Sequence, residues 1–385
     1  MKKLISVITG SRADFGLLEG VVSRINHSSN LELELIITGS HLSEAFGNTV
    51  NEILLTGVTN VVEISLNLEI NSESDLTITI SDLINQIAEH YSKRKPSLTL
   101  VLGDRYEILG AAIACATLGI PVGHIHGGEI TSGSKDDMYR HAITKLASLH
   151  FVANPEFQDR VIRMGEDPEK VFVVGGLGVD SITRIKKLSK QEIEVKIGIP
   201  LEPIYALVTY HPDSIDPESS MNQLMTVLKS LESFPDIQFI ITGANADYYG
   251  NQFNYQLKEL ASKNTKHFFF DSLGQQNYLS LLAGAKFVLG NSSSGLLEAP
   301  SLKVPTVNIG NRQDGRPRAE SVIDVDCEVI QIVKAIEKVT SEANTLTIEH
   351  TENPYGSPGA STRITDILEA CEFDKLLPKM FIDAN

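Results

Sequence analysis

The densest chemistry in this chain lies between Leu98 and Lys145. An apolar run ends in Gly103-Asp104-Arg105. After it come His124-Ile125-His126-Gly127-Gly128-Glu129 and then Asp136-Asp137-Met138-Tyr139-Arg140-His141. Carboxylates, a cation and histidines delivered by strand-end loops, without the spacing of metal ligands, suit proton transfer on an anionic small molecule. Asp104, Glu129 and Asp136 are the candidate acids and bases. Each also reads as a helix cap, Asp136 above all, but so much charge at one sheet edge is costly unless it is used. His124 and His126 stand two apart on a strand and point the same way, as zinc ligands would. No third ligand stands at a recognisable spacing, so no metal is expected and one of the two is expected to be a hydrogen-bonded core histidine.

Other stretches suit an anion. Gly10-Ser11-Arg12-Ala13-Asp14-Phe15-Gly16 lies between a strand and a helix, where free N–H groups and a planar guanidinium attract phosphate. It is not GxGxxG, no acidic ribose hook follows, and no GxxxxGK[ST] occurs, so neither a nicotinamide cofactor nor P-loop phosphoryl transfer is supported. Gly290-Asn291-Ser292-Ser293-Ser294-Gly295 offers three hydroxyls beside a helix start, with Glu298 placed to accept two ribose hydroxyls. The plain alternative is a capped serine-rich turn. His211, at a strand end before Pro212, is either a loop histidine or a phosphate ligand and proton donor.

The elements that must position these residues alternate. Strands are expected at 4–9, 31–38, 98–102, 121–125, 150–153 and 171–174, with a helix through Leu17, Leu18, Val21, Val22 and Ile25 and further helices at 82–93, 107–118 and 136–149. After a polar stretch from Lys186 to Pro203 the pattern restarts, with strands at 205–209, 237–242, 267–270, 286–289 and 305–308 and helices at 222–232, 275–284, 295–302 and 328–342. Asn67–Ser74 reads as a polar loop. Alternation of this kind means parallel sheets wrapped on both faces. The expected class is α/β, with two Rossmann-like doubly wound domains at 1–180 and 200–360. A cleft between the two domains is expected to take the ligand, and a last helix within 361–385 to return to the first domain.

Length and charge bound the rest. A chain of 385 residues exceeds one hydrophobic core, and 42% hydrophobic with 21% charged residues is globular composition. The net charge of −16 argues against nucleic acid and against an anionic membrane surface. Three widely spaced cysteines give neither a disulfide framework nor a zinc ribbon. With no signal-like start and no run of about 20 apolar residues, a cytoplasmic enzyme is expected.

Taken in order, these strings resemble the UDP-N-acetylglucosamine 2-epimerase family, in its hydrolysing branch of sialic-acid-type sugar synthesis. The resemblance is carried by Gly10–Gly16, Gly39-Ser40-His41-Leu42, Phe46-Gly47-Asn48-Thr49, Gly103-Asp104-Arg105, His124–Glu129, Asp136-Asp137 and Arg140–Lys145. Later in the chain it is carried by His211-Pro212, Asn245-Ala246-Asp247, Gly290–Ser293, Glu298-Ala299-Pro300 and Asn311-Arg312. It implies a GT-B fold with UDP between the domains and no cofactor. It also implies a homodimer or homotetramer. By position it implies that Arg12, Asp180, His211, Asn245, Ser292, Ser293, Glu298 and Arg312 hold the UDP-sugar, with Arg105 near the diphosphate, and that Asp104, Glu129 and Asp136 move protons. Non-hydrolysing relatives carry a Glu where this chain has His126, a departure that fits the hydrolysing branch.

The implied chemistry is anti elimination of UDP to a 2-acetamidoglucal, then hydration with inversion at C2. Asp104 or Asp136 would be the base and Glu129 or His126 the acid/base of hydration. Arg12, Arg105 and His211 would stabilise the leaving diphosphate. The implied substrate is UDP-N-acetylglucosamine or a nucleotide-linked 2,4-diacetamido-trideoxy sugar. A GT-B glycosyltransferase and a non-catalytic sugar-nucleotide sensor are the competing classes.

Overall fold

The computed structural model describes residues 2–44, 48–70, 72–131, 135–212, 217–243, 250–341 and 348–383. Apolar runs become parallel strands and helices fill the intervals between them. The chain divides into two units, Met1–Ser181 with Tyr355–Asn385, and Ile182–Pro354.

In the first unit the elements are β1 (Lys3–Thr9), α1 (Arg12–His27), β2 (Leu31–Thr38), α2 (Val50–Leu54), β3 (Val61–Ile64), α3 (Glu73–Lys93), β4 (Leu98–Leu102), α4 (Tyr106–Thr117), β5 (Val122–Ile125), α5 (Lys135–Leu146), β6 (Leu149–Val152), α6 (Pro155–Arg163), β7 (Val171–Val173) and the start of α7 (Leu177–Arg184). The strands pair in parallel in the order β3-β2-β1-β4-β5-β6-β7. Chain order reverses between β1 and β4, the place where open α/β sheets bind ligands at their strand C-termini. One apolar layer (Val7, Leu18, Val21, Leu100, Phe151) lies on one face of the sheet, and another (Ile8, Leu83, Val101, Ile108, Ile143) on the other.

The second unit holds α8 (Lys190–Ile197), β8 (Tyr205–Thr209), α9 (Pro217–Leu231), β9 (Gln238–Thr242), α10 (Gly250–Lys263), β10 (Phe268–Phe270), α11 (Gly274–Gly284), β11 (Phe287–Gly290), α12 (Ser294–Leu297), β12 (Thr306–Ile309), β13 (Val322–Val325) and α13 (Val329–Thr340). Its order is β10-β9-β8-β11-β12-β13, with the reversal between β8 and β11.

The chain then returns to the first unit as α14 (Ala360–Ala370), whose Ile364 and Leu368 join the core beside α1. Gly359, at the N-cap of α14, has no side chain to offer. Asp180 supplies the cap instead, accepting Gly359 N–H at 2.6 Å, Ser361 N–H at 3.1 Å and the Ser361 hydroxyl. Both oxygens of a residue expected to hold substrate are therefore committed to helix capping.

Several expectations need correction. The polar stretch at Lys186–Pro203 contains α8, opened by a capping box between Ser189 and Glu192. Glu73 and Ser74 belong to α3, which starts nine residues before the expected Asp82. The strands β3 and β13 and the helices α2, α6, α7 and α10 were not expected from the sequence.

Candidate active site

At the β1–β4 switch point, Arg105 turns back from the start of α4 and grips Glu107 through Nη2 at 2.7 Å and Nε at 3.2 Å. Glu107 is fully buried, so this expected diphosphate contact is already charge-paired. Asp14, in the first turn of α1, lies 4.0 Å from the Arg105 Nε and accepts the Ser11 hydroxyl at 2.7 Å. Burial pushes its carboxyl up to about 6, against the pull of Arg105. Arg12, the first residue of α1, pairs with Glu52 at 3.2 Å in a contact more than half exposed on both sides. His41 sits between Thr9 (3.0 Å) and Thr49 (2.8 Å), and burial lowers it to about 4, so it is neutral.

The next constellation is organised by Arg140, buried on α5 with 2% exposure. Its Nη2 donates to Asp104 at the end of β4 and to the Thr131 hydroxyl at 3.0 Å. Its Nη1 donates to Asp137 at 3.0 Å and to the Glu129 carbonyl at 3.1 Å. Asp137 also accepts the Thr131 N–H at 2.7 Å and faces His141 at 3.5 Å. One guanidinium thus ties together the loops after β4 and β5. Asp136 is solvent-exposed in the first turn of α5, and it is Asp137 that enters the cluster.

The β5 loop explains its own sequence. Gly128 has φ +79°, and a Cβ there would lie 2.6 Å from the Phe157 carbonyl of α6. Its two histidines separate in role. His124 is fully buried, bonded to the Gly103 carbonyl at 2.8 Å and Thr144 at 3.1 Å, and burial lowers it to about 3. It is the core histidine. His126 adopts φ +64°, with Nδ1 3.3 Å from Oε1 of Glu129. Glu129 is 6% exposed, and that oxygen makes no hydrogen bond to the described residues.

In the second unit, β8 and β11 deliver His211 and Gly290-Asn291 to their shared switch point. Gly290, at φ +133°, runs so close to β8 that a Cβ would sit 1.9 Å from the Thr209 carbonyl. Asn291 bonds both backbone groups of His211, and its own carbonyl accepts Arg312 at 3.1 Å and Gln313 at 2.8 Å. Burial, with Arg312 adding to it, lowers His211 to about 4. His211 is therefore a neutral donor, not a cation for phosphate. Ser292 Oγ accepts the Ser294 N–H at 3.4 Å, and Ser293 precedes α12 without making a side-chain cap.

Beside them, Tyr278 Oη, Ser294 Oγ, Glu298 Oε2 and Arg316 Nε are buried, and among the described residues they make no well-formed hydrogen bond, although Ser294 lies close enough to Tyr278 and Glu298 to lower the pKa of both. Tyr278, Ser294 and Glu298 act on one another, and Arg316 on Glu298. Burial pushes Glu298 up to about 7. Buried polar atoms are rarely left unpaired, and several in one cluster suit a ligand bearing hydroxyl or carbonyl groups. Asn245 lies outside the described residues, as do Phe46 and Gly47 of the quoted strings. Among the described residues no group of His, Cys, Asp and Glu could hold a metal ion.

The family model described as UDP-N-acetylglucosamine 2-epimerase matches residues 23–369. The chain belongs to the UDP-N-acetylglucosamine 2-epimerase family. It is 35% identical to polysialic acid biosynthesis protein P7 of Escherichia coli over 96% of this chain and 94% of that protein. It is 36% identical to the hydrolysing GDP/UDP-N,N'-diacetylbacillosamine 2-epimerase of Campylobacter jejuni, covering 89% of this chain and 88% of that one. The fold matches the Methanocaldococcus jannaschii UDP-GlcNAc 2-epimerase solved with UDP-GlcNAc and UDP, with a TM-score of 0.78 at 20% identity. That match covers 96% of this chain and 100% of the other.

For this member of the 2-epimerase family, sequence reasoning missed Arg140 and Asp137 as the pair that binds the acidic loops together. Their i, i+3 spacing at the head of an expected helix was an available signal. It also missed Glu107, Asn291 and Tyr278, none of which stands in a pattern of its own.

Proposed function

We propose that this chain is a hydrolysing 2-epimerase that converts UDP-N-acetylglucosamine and water to UDP and N-acetylmannosamine. The second unit supplies the nucleotide-binding residues: Glu298, Ser294 and Tyr278 for hydroxyl and carbonyl groups, and His211 with Arg312 for the diphosphate. The first unit supplies the acid–base residues. Asp104, held by Arg140, takes the C2 proton while the C1–O bond breaks and its electron pair leaves on UDP. In hydration, protonated Glu129 gives its proton to C2 on the opposite face, water oxygen bonds C1, and the proton that water sheds returns to the Glu129 carboxylate. Asp180 is left out of the substrate set because its oxygens already cap α14.

What carries this reading is the near full-length similarity to a relative named as hydrolysing. A second reading, the same reaction on a nucleotide-linked 2,4-diacetamido-trideoxy sugar, is favoured by that relative's printed substrate. A cytoplasmic location and a homodimer or homotetramer belong to the proposal too. No described helix is long and apolar enough to cross a membrane, and light scattering on the purified chain checks the assembly.

The test is NMR of the protein with UDP-N-acetylglucosamine in D₂O. Free UDP with N-acetylmannosamine deuterated at C2 is expected. Accumulating UDP-N-acetylmannosamine refutes the hydrolysing assignment. If only the diacetamido nucleotide is consumed, the second reading holds. Transfer of the sugar to an added acceptor without C2 exchange identifies a glycosyltransferase.

A further inference from the structure

His126 combines two features that do not occur together by default. Its backbone is left-handed, at φ +64°, a conformation that costs an L-residue other than Gly or Asn about 1 kcal/mol or more. Its ring is nonetheless anchored at one nitrogen and faces a carboxylate with the other. Nε2 accepts the backbone N–H of Leu177, at the start of α7, at 3.2 Å, and Nδ1 faces Glu129 Oε1 at 3.3 Å.

The backbone on both sides of that anchor is itself fixed. His126 N–H bonds the Phe151 carbonyl at 2.9 Å, and Gly176 N–H, one residue before Leu177, bonds the Tyr355 carbonyl at 2.8 Å. A ring nitrogen that accepts an amide proton carries none of its own, so the single proton of the neutral imidazole is on Nδ1. A proton on Nε2 would set two N–H groups against each other, with an amide that cannot turn away. His124, itself buried and neutral, is one titratable group close enough to act on this ring.

We infer that His126 is a positioning residue, a neutral imidazole locked in the Nδ1–H form by the Leu177 amide so that its proton is aimed at the Glu129 carboxylate. Glu129 gains and loses the proton of the site, and the imidazole keeps its own. The 3.3 Å separation is that of a contact that tightens when the site is occupied. The role in turnover rests on the hydrolysing-epimerase reading, whereas the tautomer does not.

Two measurements test it. Long-range ¹H–¹⁵N NMR on histidine-labelled protein, with His126→Asn for assignment, reads the tautomer directly. A protonated Nδ1 with an unprotonated Nε2, unchanged between pH 8 and pH 6, is expected. An Nε2–H ring or an imidazolium at pH 7 overturns the inference. Kinetics then compare His126→Gly with His126→Asn. Glycine relieves the backbone strain but strands the Leu177 amide, so a purely structural histidine predicts lower stability with an unmoved pH–rate profile in His126→Gly. A positioning role predicts a kcat lower by about 10²-fold with KM nearly unchanged. It also predicts partial recovery in His126→Asn, whose amide can still donate, and an acid limb of the pH–rate profile moved to higher pH. Full activity in His126→Gly, or an unmoved profile in both variants, overturns the inference. If the wild-type chain turns over no sugar nucleotide, the functional reading fails and the NMR result alone decides the tautomer.

Discussion

Asn291 closes a ring on the backbone of His211: its Oδ1 accepts the His211 N–H at 2.7 Å and its Nδ2 donates to the His211 carbonyl at 2.9 Å. Asn291 is 4% exposed and follows the glycine that brings β11 against β8. Asn291→Leu keeps the volume and strands both backbone groups. The expected cost is about 2–3 kcal/mol in the urea transition of the second unit, with UDP affinity at least tenfold weaker by calorimetry. Weaker affinity without destabilisation would mean that Asn291 contacts the ligand directly.

Asp180 separates capping from binding. Asp180→Ala removes the acceptors from the first turn of α14 and is expected to destabilise the first unit by about 1–2 kcal/mol. UDP affinity is expected to stay within twofold of wild type. A tenfold loss in UDP affinity, with thermal stability retained, would return Asp180 to the substrate site.

Arg140 serves two carboxylates, a hydroxyl and a carbonyl from a buried position. Arg140→Met leaves Asp104 and Asp137 without their counter-charge and is expected to cost about 3 kcal/mol. Arg140→Lys restores charge without the two-armed fork and should recover stability better than rate. Its kcat is expected to stay at least ~10²-fold low, as misplaced reacting groups require. Equal recovery of both would reduce Arg140 to a counter-ion.

What was legible in the sequence divides along a physical line. Central strands such as β1 and β4 are buried on both faces, so they appear as unbroken apolar runs and were found to within one residue. Val61–Ile64 and Val322–Val325 are edge strands, partly exposed and interrupted by Glu63 and Asp324, and no run announced them. Loop motifs pointed to the regions of Asp104, Glu129, His211 and Glu298 because glycine, histidine and acid co-occur there. Pairings between distant loops were not legible. Arg140 meets Asp104 from 36 residues away and Asp180 meets Ser361 from 181, and neither partner's surroundings in the chain mention the other.

Glu298 makes the final prediction a matter of sign. Burial raises its carboxyl from 4.5 to about 7, outweighing Ser294 and Arg316. Between pH 4.5 and 7 the folded chain holds a proton that the unfolded chain has released. The contribution of this residue to stability is therefore present below pH 4.5 and is lost as pH rises through 7, at up to about 1.4 kcal/mol per pH unit. A ligand that donates hydroxyls to the carboxylate draws that proton off. Affinity for UDP-glucose, whose diphosphate does not titrate in this range, should rise by up to about tenfold per unit between pH 5.5 and 7 and level off above it. Calorimetry in buffers of different ionisation enthalpy should record proton release on binding near pH 6. Glu298→Gln, permanently neutral, should bind more weakly at pH 8 and show no such dependence. A wild-type affinity that is flat across this range would place the ligand hydroxyls on some other acceptor.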